Sequence, residues 1–153
     1  METKKTKILI VDDEPEIVST LKHCLMLRGY QAEGALNCEE ALRCLEEQAA
    51  DLILLDIMMP GIKGTEFAKI VKEKYPATKI VIITAFPTET ENLSKAKLTE
   101  ALFVKPVELK ELYATLKTLE EKIREEVKVT VLYFKTRLLM TMMNMLEQDY
   151  RNN

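Results

Sequence analysis

Long apolar runs, gathered basic charge and paired cysteines are all scarce in this sequence, and each scarcity removes a class of function. The first apolar run, Ile8 to Val11, is too short for a signal peptide or a membrane span and meets Asp12 and Asp13 at once. Lysine and arginine number 22 against 25 aspartate and glutamate, a net charge of -3. The lysines are scattered among acids, so direct nucleic-acid binding is not expected. Cys24, Cys38 and Cys44 are odd in number and have neither disulfide nor zinc spacing. They read as reduced core thiols of a cytoplasmic protein. No glycine-lysine phosphate loop, helix-turn-helix signal or internal repeat is present. What remains is 153 residues, 47% hydrophobic and 31% charged, the composition of a soluble globular protein of about one domain.

Along that chain, short β-branched runs alternate with longer segments of 3.6-residue period. Strands are expected at Lys7–Val11, Tyr30–Ala35, the run ending at Asp56, Lys79–Thr84 and Ala101–Val104. Helices are expected at Glu16–Arg28, with Ile17, Leu21, Cys24, Leu25 and Leu27 on or near its inner face, and from Asn37 to Gln48. Others should span Thr65–Lys74 and Thr88 to about Leu98, with a last helix opened by Pro106. Gly29 should end the first helix in the left-handed conformation, and Asn37 with Glu40 makes a capping box. Strand and helix alternate five times, which predicts an α/β fold with a doubly wound parallel sheet and helices on both faces.

The polar residues then fall into register. The first strand ends in Asp12-Asp13, the third in Asp56, the fourth in Thr84-Ala85 and the fifth in Lys105-Pro106. In a parallel sheet all four ends point the same way, toward the edge where such sheets bind ligands. Three carboxylates brought together there repel unless a hard divalent cation is shared between them, and an all-oxygen donor set suits magnesium. Taken singly, each feature has a blander reading: acid pairs at strand ends are commonly solvated, Asp56 could cap a turn, and Lys105 could be a surface charge. Their joint registration favours a site. His23 lies in the first helix, away from every strand end, and reads as a structural or surface residue.

Through Asp12-Asp13, Asp56-Ile57-Met58-Met59-Pro60-Gly61, Thr84-Ala85 and Lys105-Pro106, the segment from about Lys5 to Glu121 resembles the receiver domain of two-component response regulators. The resemblance implies a flavodoxin-like fold with a five-stranded sheet in the order 2-1-3-4-5. It implies that Asp56 accepts a phosphoryl group from a sensor histidine kinase, a phosphotransfer protein or a small phosphodonor. It further implies that Asp13 and Asp56 bind Mg2+ directly, that Asp12 acts through water, and that Met58 offers its backbone carbonyl. Thr84 would be the switch hydroxyl and Lys105 the counter-charge to the phosphoryl group, followed by a cis bond to Pro106.

Two departures from that pattern stand out. Leu102 takes the place where such domains usually carry a tyrosine or phenylalanine, and the turn Leu98–Ala101 lacks their usual Gly-Ala. Output through the fourth helix and fifth strand is therefore expected to be less conventional. Met58 and Phe86 are apolar at the positions that, by the resemblance, flank the path of the hydrolytic water, and they predict slow self-dephosphorylation.

Beyond a receiver of residues 1–121, an extension of residues 122–153 is expected. Leu109, Leu112, Leu116, Leu119 and Ile123 alternate spacings of three and four, as a coiled-coil seam does. Val127, Val131, Phe134, Leu138, Met142 and Met145 continue a helical stripe, although Val127–Val131 also alternates like a strand. Four of the eight methionines lie between Met140 and Met145. Such a stripe suits self-association or docking through the last helix, and Lys135 and Arg137 argue against membrane insertion. Two other classes compete with a phosphorylation switch: a receiver-like dimerisation module that is never phosphorylated, and an Asp-nucleophile phosphohydrolase. The hydrolase would usually place a second acid where Met58 stands.

Overall fold

The computed structural model of the chain describes residues 4–90 and 96–152. Contacts divide the chain into two compact units, residues 1–115 and 116–153. The first unit holds five strands, β1 (Lys7–Val11), β2 (Gln31–Ala35), β3 (Leu52–Leu55), β4 (Lys79–Thr84) and β5 (Ala101–Val104). All neighbouring pairs are parallel and the order is β2-β1-β3-β4-β5. The expected doubly wound, flavodoxin-like α/β fold is therefore present.

Why the central strands read as unbroken apolar runs is clear from their two faces. Leu9, Val11, Ile53, Leu55, Ile80 and Ile82 join one core with Ala41 and Leu45 of α2 (Cys38–Glu47) and Phe67, Ala68 and Val71 of α3 (Gly64–Lys74). Alternate residues on the same strands, Ile8, Ile10, Leu52, Leu54, Val81 and Ile83, are just as buried on the other face. There Leu21 of α1 (Pro15–Leu27) and Leu109 line a common recess with Ile83. Period-two alternation of polar and apolar residues disappears when both faces are covered. The inward face of α1 is Val18, Leu21 and Leu25. Leu27, expected on or near that face, is 75% exposed, because two residues beyond Leu25 is about 200° around a helix.

Local signals set most of the boundaries. Asn37 caps α2 by accepting from the Glu40 amide at 2.8 Å, while Glu40 reaches back to the Leu36 amide at 2.9 Å rather than to that of Asn37. Gly29 has a φ of 88°, which a residue with a β-carbon adopts only under strain. Cys38 is buried in the core as expected, and burial, with the charge of Glu39, pushes its thiol up to about 11.

The last helix, α4, runs without a break from Leu109 to Asn152. Pro106 does not open it. The Lys105 amide donates to the Thr84 carbonyl at 2.9 Å, continuing the β4–β5 ladder by one residue. Residues 106–108 then leave the sheet before the first helical bond, from the Leu112 amide to the Glu108 carbonyl. The strand-like alternation at Val127–Val131 is likewise overruled, since those residues are helical.

A 3-10 turn at Pro87–Thr90 follows β4, and the rest of the helix expected from Thr88 lies largely outside the described residues. In the second unit Leu116 and Leu119 are buried, and every residue from Arg124 to Arg151 is exposed. Among the described residues no helix is long and apolar enough to cross a membrane.

Candidate functional site

The strand order creates the site. From β1 the chain continues to β2 on one side, and from β3 to β4 on the other, so the loops leaving the carboxyl ends of β1 and β3 diverge. A crevice opens at such a switch point. Asp12 and Asp13 follow β1 and Asp56 follows β3, and the register holds them level. The Asp12 amide donates to the Ala35 carbonyl at 3.1 Å and the Asp56 amide to the Val11 carbonyl at 2.9 Å.

Each buried carboxylate divides its two oxygens in the same way. Asp12 Oδ1 accepts from the Glu14 amide and Asp56 Oδ1 from the Met58 amide, both at 2.9 Å and both two residues on. Aspartates favour such local turns because a short side chain can satisfy the amide two places ahead. The other oxygens meet on one cation: Lys105 Nζ lies 2.7 Å from Asp12 Oδ2 and 2.9 Å from Asp56 Oδ2. Asp12 and Asp56 are nearly buried, at 3% and 6% exposure, while Asp13 is exposed.

Burial by itself would make the Lys105 ammonium easier to deprotonate. Hydrogen bonds to Asp12 and Asp56, and their negative charges, outweigh it and hold the pKa above the ordinary lysine value. One ammonium cannot neutralise three carboxylates. Oxygens of Asp12, Asp13 and Asp56 all lie within 4.8 Å of one another, and like charges at about 4 Å repel by roughly 4 kcal/mol at an effective dielectric of 20. A divalent ion relieves that repulsion. An acidic cluster of this size, all oxygen donors, fits one Mg2+.

Thr84 ends β4 fully buried, and its Oγ1 accepts from the Phe86 amide at 3.1 Å. A hydroxyl accepting in this way can still donate its own hydrogen. Met58 is 40% and Phe86 57% exposed, whereas Ile57 and Met59 turn into the core. Gly64 lets α3 start against the loop after Asp56: a β-carbon there would stand 2.5 Å from Ile57 Cα. The peptide between Lys105 and Pro106 is cis.

Asp12, Asp56 and Lys105 are thus brought together with Asp13 beside them, Thr84 ends the neighbouring β4, and Met58 lies in the loop after β3. His23 is exposed on α1 and takes no part. Glu14 was not singled out by the sequence, yet its Oε1 lies 3.4 Å from Lys105 Nζ. An acid following directly on Asp12-Asp13 was the available signal.

The profile of the response regulator receiver domain matches residues 8–117. The chain is similar to the transcriptional regulatory protein ResD of Bacillus subtilis (strain 168), 38% identical over 119 residues, covering 77% of this chain and 49% of ResD. It is also similar to the nisin biosynthesis regulatory protein NisR of Lactococcus lactis subsp. lactis, 36% identical over 121 residues, covering 78% of this chain and 51% of NisR. The chain thus spans about half the length of these curated relatives. Among solved structures it resembles the response regulator TrrA of Thermotoga maritima in complex with Mg(2+)-BeF. The TM-score is 0.67 and the identity 37%, with 74% of this chain and 98% of that chain covered. Profile, relatives and sheet order agree: the chain belongs to the response regulator receiver domain family.

Proposed function

We propose that this chain is a phosphorylation-controlled switch in which Asp56 is the phosphoacceptor and Mg2+ the cofactor. The family serves two-component signalling and binds Mg2+ at an acidic pocket. The observation that carries the assignment is the Lys105 ammonium held 2.7 Å and 2.9 Å from Asp12 and Asp56. A cation so placed can leave its carboxylate partners for an arriving phosphoryl oxygen.

In the transfer an Asp56 carboxylate oxygen attacks phosphorus. The bond from phosphorus to the donor breaks, and its electron pair leaves with the donor, a phosphohistidine of a sensor histidine kinase or phosphotransfer protein, or a small acyl phosphate. Phosphoryl transfer requires alignment and neutralisation of spreading negative charge more than it requires acid-base work. When bound, Mg2+ supplies most of that neutralisation. Asp13 and Asp56 would hold it directly, Asp12 through water, and Met58 through its backbone carbonyl. Lys105 faces the phosphoryl oxygens as a compact point charge, and Thr84 turns its O–H toward another of them. That movement is the switch.

The product is an altered contact surface rather than a turned-over substrate. Apolar Met58 and Phe86 beside the site leave nothing to orient water, so the aspartyl phosphate decays slowly on its own. Residues 1–121 form the receiver, and residues 122–153 form a helical extension through which copies associate. The reading places the protein in the cytoplasm, beside kinases that act there, with no direct contact to nucleic acid by this net-acidic stretch. ResD and NisR are named as regulatory proteins, and this chain corresponds to about half of each.

Acetyl phosphate with Mg2+ should produce an aspartyl phosphate on Asp56, and beryllofluoride should bind in its place. Asp56→Asn should abolish both. Labelling that survives the substitution would remove the assignment.

A further inference from the structure

Among the described residues nothing covers α4 after Arg124, where every residue to Arg151 is exposed. Leu132, Thr136, Leu139, Met143, Leu146 and Tyr150 recur at alternating spacings of four and three, the seam of a coiled coil. Leu132, Leu139, Met143 and Leu146 are 60–67% exposed. Val131, Leu138, Met142 and Met145 widen the stripe on one flank. A helix gains most of its stability in a protein by packing an apolar face, so a surface of this breadth demands a partner.

Two charges interrupt that flank. Lys135 has Val131, Leu132, Leu138 and Leu139 at all its neighbouring helical positions, three and four residues away, and Asp149 has Met145 and Leu146 on its N-terminal side. Neither can form the pair that Arg124 forms with Glu120, four residues before it. Lys135 and Asp149 are two heptads apart, with Met142 at the midpoint.

We propose that the occupant is a second copy of this chain, its helix antiparallel and related by a two-fold axis near Met142. This deepens the self-association proposed above and rests on it. The axis sets Lys135 beside Asp149 of the other copy, twice per dimer. It stacks Leu132 with Tyr150, Thr136 with Leu146 and Leu139 with Met143 across the seam. A parallel, in-register pair puts Lys135 level with Lys135 and Asp149 level with Asp149, leaving both charges unmatched beside apolar neighbours. Apolar matching is good either way, so the charges decide the orientation.

The test is a charge-swap cycle on the full chain, read as the dimer dissociation constant by sedimentation across a concentration series. Lys135→Glu and Asp149→Lys should each weaken association about tenfold, and the double variant should recover most of the loss. Oxidative crosslinking reads orientation directly, with the parent chain as the blank for its native thiols. Lys135→Cys and Asp149→Cys chains mixed as single variants should form a disulfide dimer with each other, whereas neither variant alone should crosslink, because the antiparallel pair sets each position beside the other and not beside itself. Leu139→Cys should not crosslink. A dimer in which the swaps show no coupling, or in which Leu139→Cys crosslinks readily, overturns the antiparallel arrangement and leaves self-association standing. A monomer at every concentration overturns both, without touching the assignment of Asp56.

Discussion

The crevice around Asp56 and the outer part of α4 treat their difficult groups in opposite ways. At the crevice, the two buried carboxylates each have a backbone amide and the Lys105 ammonium as partners within the same chain. Along α4 after Arg124, the apolar side chains are exposed and Lys135 has only apolar neighbours at helical spacing. One region satisfies its buried charges within a single polypeptide; the other leaves its apolar side chains exposed, and on the reading proposed above it is half of an interface. The difference teaches where each part of the proposed switch should lie: its chemistry in the preorganised crevice, its output on the exposed helix.

The strongest way to break that comparison is to remove the internal counter-charge. Lys105→Met leaves Asp12 and Asp56 buried without their cation and should cost about 3 kcal/mol of folding stability in metal-free buffer. Mg2+ should restore a larger share of stability in the variant than in the parent, because without Lys105 on Asp12 and Asp56 it meets no competing cation and binds the folded arrangement more tightly. Urea denaturation with and without Mg2+ measures both. Equal stability of the two chains in chelator would show that the crevice does not depend on Lys105.

Next in size, Gly64→Ala should cost about 2 kcal/mol, since the new β-carbon meets backbone at Ile57 and the loop carrying Asp56 must shift. Labelling by acetyl phosphate should slow along with it, whereas self-association through α4 should not change. A variant with normal stability and labelling would detach that loop from the site.

Smaller effects sharpen the boundary between chemistry and output. Met58→Asn and Phe86→Glu should each speed decay of the aspartyl phosphate several-fold by giving water a polar partner. No acceleration in either would remove the argument from apolar flanks. Smallest of all, beryllofluoride should produce little coordinated movement at β5. Leu102, at 38% exposure, lacks an aromatic ring to follow Thr84, and the preceding turn is held by the Thr99 hydroxyl, 3.1 Å from the Ile80 carbonyl and 2.8 Å from that of Ala101. Large chemical-shift changes throughout β5 would contradict this.

Most of the fold could be read before the structure, for physical reasons that also explain the exceptions. β1 and β4 have the expected bounds because a β-branched run buried on both faces has few other places to go, and the edge strand β5, alternately half-buried and exposed, has them too. Asn37 and Gly29 announced their helix ends through chemistry that is local to them. The start of α4 was misplaced because it depends on a long-range bond, Lys105 to Thr84, that no local pattern encodes. Leu27 was placed on or near the inner face although it is exposed, because an apolar residue at a helix end can be counted into a face it does not share, and Val18, which is on that face, was not singled out. Asp12, Asp13, Asp56, Thr84 and Lys105 were legible only as a set. Their meaning lies in a common strand-end position, and Glu14, which belongs to a loop, escaped that logic. At Val127–Val131 alternation and helical period coexist in one short window, and only the continuity of α4 decides between them.

The central claim is that Asp56 alone accepts the phosphoryl group in a crevice built for Mg2+. Its most direct test is to incubate the full chain with acetyl phosphate and Mg2+, trap the acyl phosphate by reduction, and map the modified residue by peptide mass. Modification confined to Asp56, and lost when chelator removes the metal, is the predicted result. Modification on Asp12 or Asp13, or labelling that persists in chelator, would contradict the account.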